Sequence, residues 1–241
     1  MKTDVSRIRR LHYGYFVVPD DFADKGQPMP VCGYLIEHSA GRILFDTGFS
    51  AVDDATRQRY SPRAAPVDDV LAAAGLALTD IDMIANCHLH LDHAGGNSRF
   101  PGVPIYVQED ELRLGREPDH TSPELAFDFP DARLEVFTGE AEIVPGVRVV
   151  PTPGHTAGHQ SMVVDTNIGP VLLAGQVFNT ASEFSYASFS HRLERDGLDS
   201  IGTFPQWMRR IDTLNPARGY FAHDLLVFER DESELGRAAR I

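Results

Sequence analysis

Read as a pattern of apolar and polar positions, the chain alternates between short apolar runs and turn residues. VCGYLIEH and RILFDTG, within residues 30–49, flank Ser39-Ala40-Gly41, which predicts two strands around a turn. Val67, Val70, Leu71 and Ala74 recur at helical spacing across 67–78, with Gly75 as the stop. IDMIANCH reads as a buried strand and VPIYVQ, at 103–108, as another. EDELRL opens a helical stretch, followed by a Pro- and aromatic-rich segment at 117–130. The second half repeats the rhythm. LEVFTG, EIVPGVRVVPTPG, SMVVDT and GPVLLAGQVF are successive strand candidates. The stretch 198–214 is mostly helical, with Pro205 in the first turn of its later part, and GYFAHD is the last strand-like run. No Gly/Ser linker divides the chain and no sequence repeat is found. The pattern predicts a mixed α and β architecture in packed layers, with residues 1–241 as one domain.

Composition narrows the function. The chain has 241 residues, 42% of them hydrophobic, enough for a sizeable core. No apolar run reaches the length of a membrane span, and the N-terminus MKTDVSRIRRLHYGYF lacks an apolar run of signal-peptide length. The expectation is a cytoplasmic protein that works without a membrane. A net charge of −13 does not supply the basic surface that a phosphate backbone needs, so nucleic acid is not the expected partner. Two cysteines, Cys32 and Cys87, do not make a disulfide framework and are expected as buried free thiols. Alternation along an extended chain would turn Cys87 away from whatever His88 binds.

The chemistry concentrates in NCHLHLDHAGGN, residues 86–97. At the end of an extended segment, the spacing of His88 and His90 puts both imidazoles on one side, where they can share a metal. Asp92 and His93 follow where Ala94-Gly95-Gly96 turns the chain, and can present a second face to the same cavity. VPTPGHTAGHQS supplies His155 at a strand end, and YFAHD supplies His223 after an apolar run.

These three motifs, with an early FDTG, resemble the metallo-β-lactamase fold superfamily, and within it the N-acyl homoserine lactonases. The resemblance runs from about residue 30 to residue 224. It implies a four-layer αββα sandwich with the metal site at one edge of the two sheets. His88, His90 and His155 would hold a first Zn2+, and Asp92, His93 and His223 a second. Such a cation lowers the pKa of bound water and polarises a carbonyl, as ester, thioester and lactone hydrolysis require. Asp46, in FDTG, is a candidate hydrogen-bond acceptor behind a ligand histidine. One position departs from the family pattern. An aspartate that bridges the two metals in the family is here Gln176, in LLAGQVFN. A neutral amide oxygen bridges cations less well than a carboxylate, so the chain is expected to bind one or two ions, the second weakly. The lactonases' tyrosine three residues further on is here Asn179, and Tyr186 is the candidate substitute.

Aromatic residues gather at 12–22 (Tyr13, Tyr15, Phe16, Phe22) and after Gln176 (Phe178, Phe184, Tyr186, Phe189). They suit a small-molecule substrate with an apolar or acyl portion. Core or dimer packing is the alternative use of the same rings, which leaves a homodimer open. His12, His38, His120, His159 and His191 are expected as surface or hydrogen-bonded histidines, with His159 supporting the loop that carries His155. The leading functional expectation is a zinc-dependent lactone or ester hydrolase, with Asp92 shuttling a proton to the leaving alkoxide. A thioesterase of the glyoxalase II type is the second enzyme reading. A catalytically silent metal- or ligand-binding protein is the third, and Gln176 keeps it open.

Overall fold

The computed structural model describes residues 2–22, 24–49, 54–118, 120–197 and 204–230. The part of the expected 198–214 helical stretch that covers 198–203, and residues 231–241, lie outside the described residues. The first half runs β1 (Ile8–Val17), β2 (Pro28–His38), β3 (Gly41–Phe45), α1 (Asp54–Tyr60), β4 (Arg63–Ala64), α2 (Val67–Ala73) and β5 (Met83–Ala85). It continues through α3 (Leu91–Ala94), β6 (Pro104–Gln108), α4 (Glu109–Leu114), α5 (Pro123–Ala126) and β7 (Arg133–Phe137). The second half holds β8 (Ala141–Val144), β9 (Val147–Pro151), β10 (Gln160–Thr166) and β11 (Gly169–Leu173). It ends with α6 (Ala181–Arg195), α7 (Met208–Leu214), β12 (Arg218–Tyr220) and β13 (Phe228–Glu229).

Two sheets result. One has the strand order β4-β1-β2-β3-β5-β6-β7, the other β13-β12-β11-β10-β9-β8. The expected hairpin is there, with β2 antiparallel to β3 and His38 opposite Gly41. β3, β5, β6 and β7 are parallel neighbours, so the chain crosses between them through helices and loops.

The side-chain period of a strand makes the layers. Cys32, Tyr34 and Ile36 of β2 face the other sheet, where they meet Val147, Val149, Met162, Val164 and Leu173. Val31 and Leu35, on the opposite face, pack with Val67 and Leu71 of α2. The second sheet does the same. Val163 and Leu172 turn outward onto Phe184 of α6 and Met208 and Ile211 of α7. A strand buried on both faces reads as a continuous apolar run, which is why VCGYLI shows no alternation. Helix, sheet, sheet, helix is the expected αββα sandwich.

Two elements were not anticipated. Residues 8–17, read only for their aromatic rings, form the long strand β1, with a bulge between His12 and Tyr15. The Ser- and aromatic-rich segment after Gln176 forms the fifteen-residue helix α6. Its start carried a legible signal. The Thr180 hydroxyl accepts from the Glu183 N–H, and the Glu183 carboxylate reaches back to the Thr180 N–H, a capping box.

The sheets are tied together near one edge by polar contacts. The Cys32 N–H donates to the Ala222 carbonyl at 2.8 Å, and the Tyr34 hydroxyl to the Phe221 carbonyl at 2.9 Å.

Candidate metal centre

The site forms where strands end. His88, His90, Asp92 and His93 follow β5, His155 follows β9, Gln176 follows β11 and His223 follows β12. Asp46 follows β3 and adopts a left-handed backbone, φ 67°. A non-glycine residue there costs about 1–3 kcal/mol and persists only where its surroundings over-determine it. Here they do. The Asp46 N–H donates to the Ala85 carbonyl, its Oδ1 accepts the Cys87 N–H at 2.7 Å, and the Tyr13 hydroxyl donates to its carbonyl at 3.2 Å. Asp46 Oδ2 is thereby aimed at His93 Nδ1, 3.0 Å away.

The metal-capable side chains fall into groups. His88, His90 and His155 form one in which the ligand atoms lie within 4.8 Å of one another, and Asp92, His93 and His223 form a second. In the first, His90 Nδ1 faces His155 Nε2 at 3.1 Å, and the His88 ring centroid lies 4.5 and 4.6 Å from those of His90 and His155. In the second, Asp92 Oδ2 is 3.3 Å from His93 Nε2 and 3.5 Å from His223 Nε2. His223 donates its other nitrogen to the Pro30 carbonyl at 2.8 Å, which fixes Nδ1–H and leaves Nε2 a lone pair.

Two atoms test whether a cation fits. His88 Nε2 and His223 Nε2 are buried without a hydrogen-bond partner. A buried polar atom left so costs about 1–3 kcal/mol. Each belongs to a different group, and a cation held by that group satisfies it. The residues fit.

Charge states agree for four of the five histidines; His93 is held protonated in the metal-free protein and must give up a proton to take a cation. Burial holds His88 well below the ordinary imidazole range, with the neighbouring histidines adding to it. Burial likewise lowers His90 to about 4, His155 to about 3 and His223 to about 4. All four are neutral at pH 7, as ligands must be. Burial opposes a charge on Asp92, but His93 and His223 outweigh it and keep the carboxyl below its usual range. Burial also opposes a charge on His93, and the carboxylates of Asp92 and Asp46 outweigh it, raising His93 well above the ordinary value.

Gln176 enters the second group from the side, its Oε1 3.1 Å from His93 Nε2. Its backbone is anchored from behind, where its N–H donates to His159 Nε2 at 3.1 Å. That bond settles the tautomer of His159, whose burial keeps it neutral. Its Nδ1–H donates to Thr152 Oγ1, the Thr152 hydroxyl to Ser161, and the Ser161 hydroxyl to the Ala174 carbonyl. His159 is hydrogen-bonded, as expected, with Gln176 and Thr152 as its partners. Gly175 makes the approach: at φ 64° a Cβ there would lie 2.4 Å from Cys87 Cβ.

A model of the metallo-beta-lactamase superfamily matches residues 27–223. The chain belongs to that superfamily. An N-acyl homoserine lactonase of a Bacillus species is 35% identical over 214 residues, covering 82% of each chain. An N-acyl homoserine lactonase of Bacillus thuringiensis is 31% identical over the same length and coverage. Among solved structures, an N-acyl homoserine lactone hydrolase with the product N-hexanoyl-L-homoserine at its catalytic metal centre superposes with a TM-score of 0.73. It is 25% identical, with 100% of this chain and 98% of that one covered.

Against that superfamily background, the structure brings His88, His90, Asp92, His93, His155, Gln176 and His223 to one place. Tyr186 is on the second turn of α6 and 75% exposed. Asn179 is closer in, its Oδ1 3.5 Å from Gln176 Nε2. Cys87 keeps to the side of His88 away from its unpartnered Nε2, as expected, but the chain bends after β5 ends at Ala85 and brings its Sγ behind the rings, 3.1 Å from His88 Nδ1 and 3.3 Å from His93 Nδ1. Burial raises the thiol to about 12, so it meets both rings uncharged. Residues that gave no functional signal in sequence also frame the site. Asn97 takes the Thr47 hydroxyl and donates to Asn86, whose amide donates to the His93 carbonyl. Glu111, within the acidic run EDELRL, is another such residue.

Proposed function

We propose that this chain is a metal-dependent hydrolase that opens an N-acyl homoserine lactone or cleaves a related ester. The observation that carries it is the convergence of two ligand groups, each ending on a buried, unpartnered imidazole nitrogen. The lactonase relatives favour the substrate class. The all-histidine first group and the histidine-rich second favour Zn2+, held by His88, His90 and His155 and by Asp92, His93 and His223, with Gln176 beside the latter. Bound there, the cation supplies a Lewis acid for the carbonyl and a lowered pKa for water.

The chain's own groups do the rest. Asp92 is the one carboxylate in the two groups, and by its place there it is the group to relay the proton of the attacking water to the ring oxygen as that leaves. Asp46 fixes the His93 ring through Nδ1, and the Pro30 carbonyl fixes His223. The half-buried Phe16 stacks edge-on against His223 at 5.3 Å and against Tyr60 at 5.9 Å, an apolar wall suited to an acyl chain. The exposed Tyr186 and Phe189 are available to a long acyl tail or a second copy of the chain. Two buried free thiols suit a reducing compartment such as the cytoplasm.

The test is turnover by purified, zinc-loaded protein on a short- and a long-chain N-acyl homoserine lactone, an aryl ester and a glutathione thioester. Lactone opening is expected to dominate and to vanish in His88→Ala. Full metal occupancy with no turnover on any substrate would establish the silent metal-binding reading instead.

A further inference from the structure

The structure assigns a positioning role to Glu111, as the buried carboxylate that fixes the two loops of the three-histidine group against each other. The inference rests on reading His88, His90 and His155 as a cation-binding group.

Glu111 is in the first turn of α4 and only 1% exposed. Its Oε1 accepts the Leu89 N–H at 2.8 Å and lies 3.0 Å from His120 Nε2. Its Oε2 accepts the Thr156 hydroxyl. Leu89 is the residue between His88 and His90, and Thr156 is the residue after His155. One carboxylate thus reaches both ligand-bearing loops at the residue next to each ligand. The third partner works on the same group, because the His120 ring lies 4.7 Å from that of His90.

A lone buried carboxylate is strongly disfavoured, so one with three polar partners is ordered by them and orders them in return. The helix is pressed against the second loop at Gly158, where a Cβ would lie 2.1 Å from the Glu111 nitrogen. Nothing covalent holds His90 Nδ1 at 3.1 Å from His155 Nε2; Glu111 bonds both of their loops beside the ligand candidates, and Gln160 ties the same segments further back at Asn86 and Cys87. Groups behind the ligands of a metal typically change its affinity by about 10- to 100-fold when removed.

Cobalt(II) is the probe, titrated into metal-free protein in a His223→Ala background so that the three-histidine group dominates the visible absorption. Glu111→Ala is expected to weaken cobalt binding roughly tenfold or more and to alter the band shape at saturation. Glu111→Gln keeps an oxygen for Leu89 and His120 and offers an N–H to Thr156, so it is expected to recover most of both. A merely structural residue would lower Tm and leave the saturated spectrum alone. Wild-type affinity and spectrum in Glu111→Ala would overturn the assignment. If that variant does not fold, Thr156→Val removes one arm of the tie and is expected to weaken cobalt several-fold, and an unchanged affinity there would overturn it equally. Absence of cobalt binding in the otherwise wild-type chain would remove the metal reading itself, and this inference with it.

Discussion

Gln176 shows how a single side chain sets the character of the site. Its Oε1 is 3.1 Å from His93 Nε2, close to the second ligand group, but it brings no charge there. A carboxylate one methylene shorter at the same strand end would attract a cation more strongly. Gln176→Asp is therefore expected to tighten the second cation by roughly tenfold or more, read by native mass spectrometry during chelator titration. Two ions resistant to mild chelation in the unmodified chain would contradict this. The members of the two candidate groups were legible because they come in compact motifs: His88, His90, Asp92 and His93 lie within one turn, and His155 and His223 each sit beside an apolar run. Glu111, His120 and Cys87 were not, because what matters about them is a partner remote in sequence or a backbone bend that side-chain alternation does not foresee.

At the scale of elements, the strands and the β2–β3 hairpin followed from their apolar runs, whereas β1 and α6 did not. In β1 the polar Arg9, Arg10 and His12 interrupt the run, and Gly14 at a bulge resets the alternation. In α6 serine and aromatic residues have modest helical preference, and packing of Phe184 and Ala187 on the second sheet decides the outcome. Its capping box still contributes: Thr180→Ala is expected to lower stability by about 1 kcal/mol in denaturant unfolding. Gly158→Ala tests the contact between α4 and the His155 loop. With backbone only 2.1 Å from the new Cβ, one element must shift. The expected result is a loss of about 2 kcal/mol or more together with weaker metal retention, and a variant as stable and metal-replete as the parent would refute that packing.

Across the whole molecule, the site tunes stability to pH. In the folded metal-free protein, burial keeps His90, His155 and His223 neutral down to about 4, 3 and 4. Unfolded histidines titrate near about 6.5. Between that value and about 4 the unfolded chain takes up protons that the folded one refuses, so stability falls as pH falls through this window. His155, at the exposed mouth, contributes least. Asp92, depressed when folded, adds a further loss below about 3.9. His93 acts the other way, but its stabilisation is complete below about 6.5 and fades only as pH rises through its raised value. The Tm of chelator-treated protein should thus drop steadily from pH 6.5 to 4. A flat profile would refute the neutral, buried state of these rings. The same architecture orders events in time. The Pro30 carbonyl takes its bond from His223 across 193 positions of sequence. During synthesis, the three-histidine group has all its members once residue 155 has emerged, while the Asp92 group must wait for residue 223. A chain that ends between those points holds every member of the first group and lacks one member of the second.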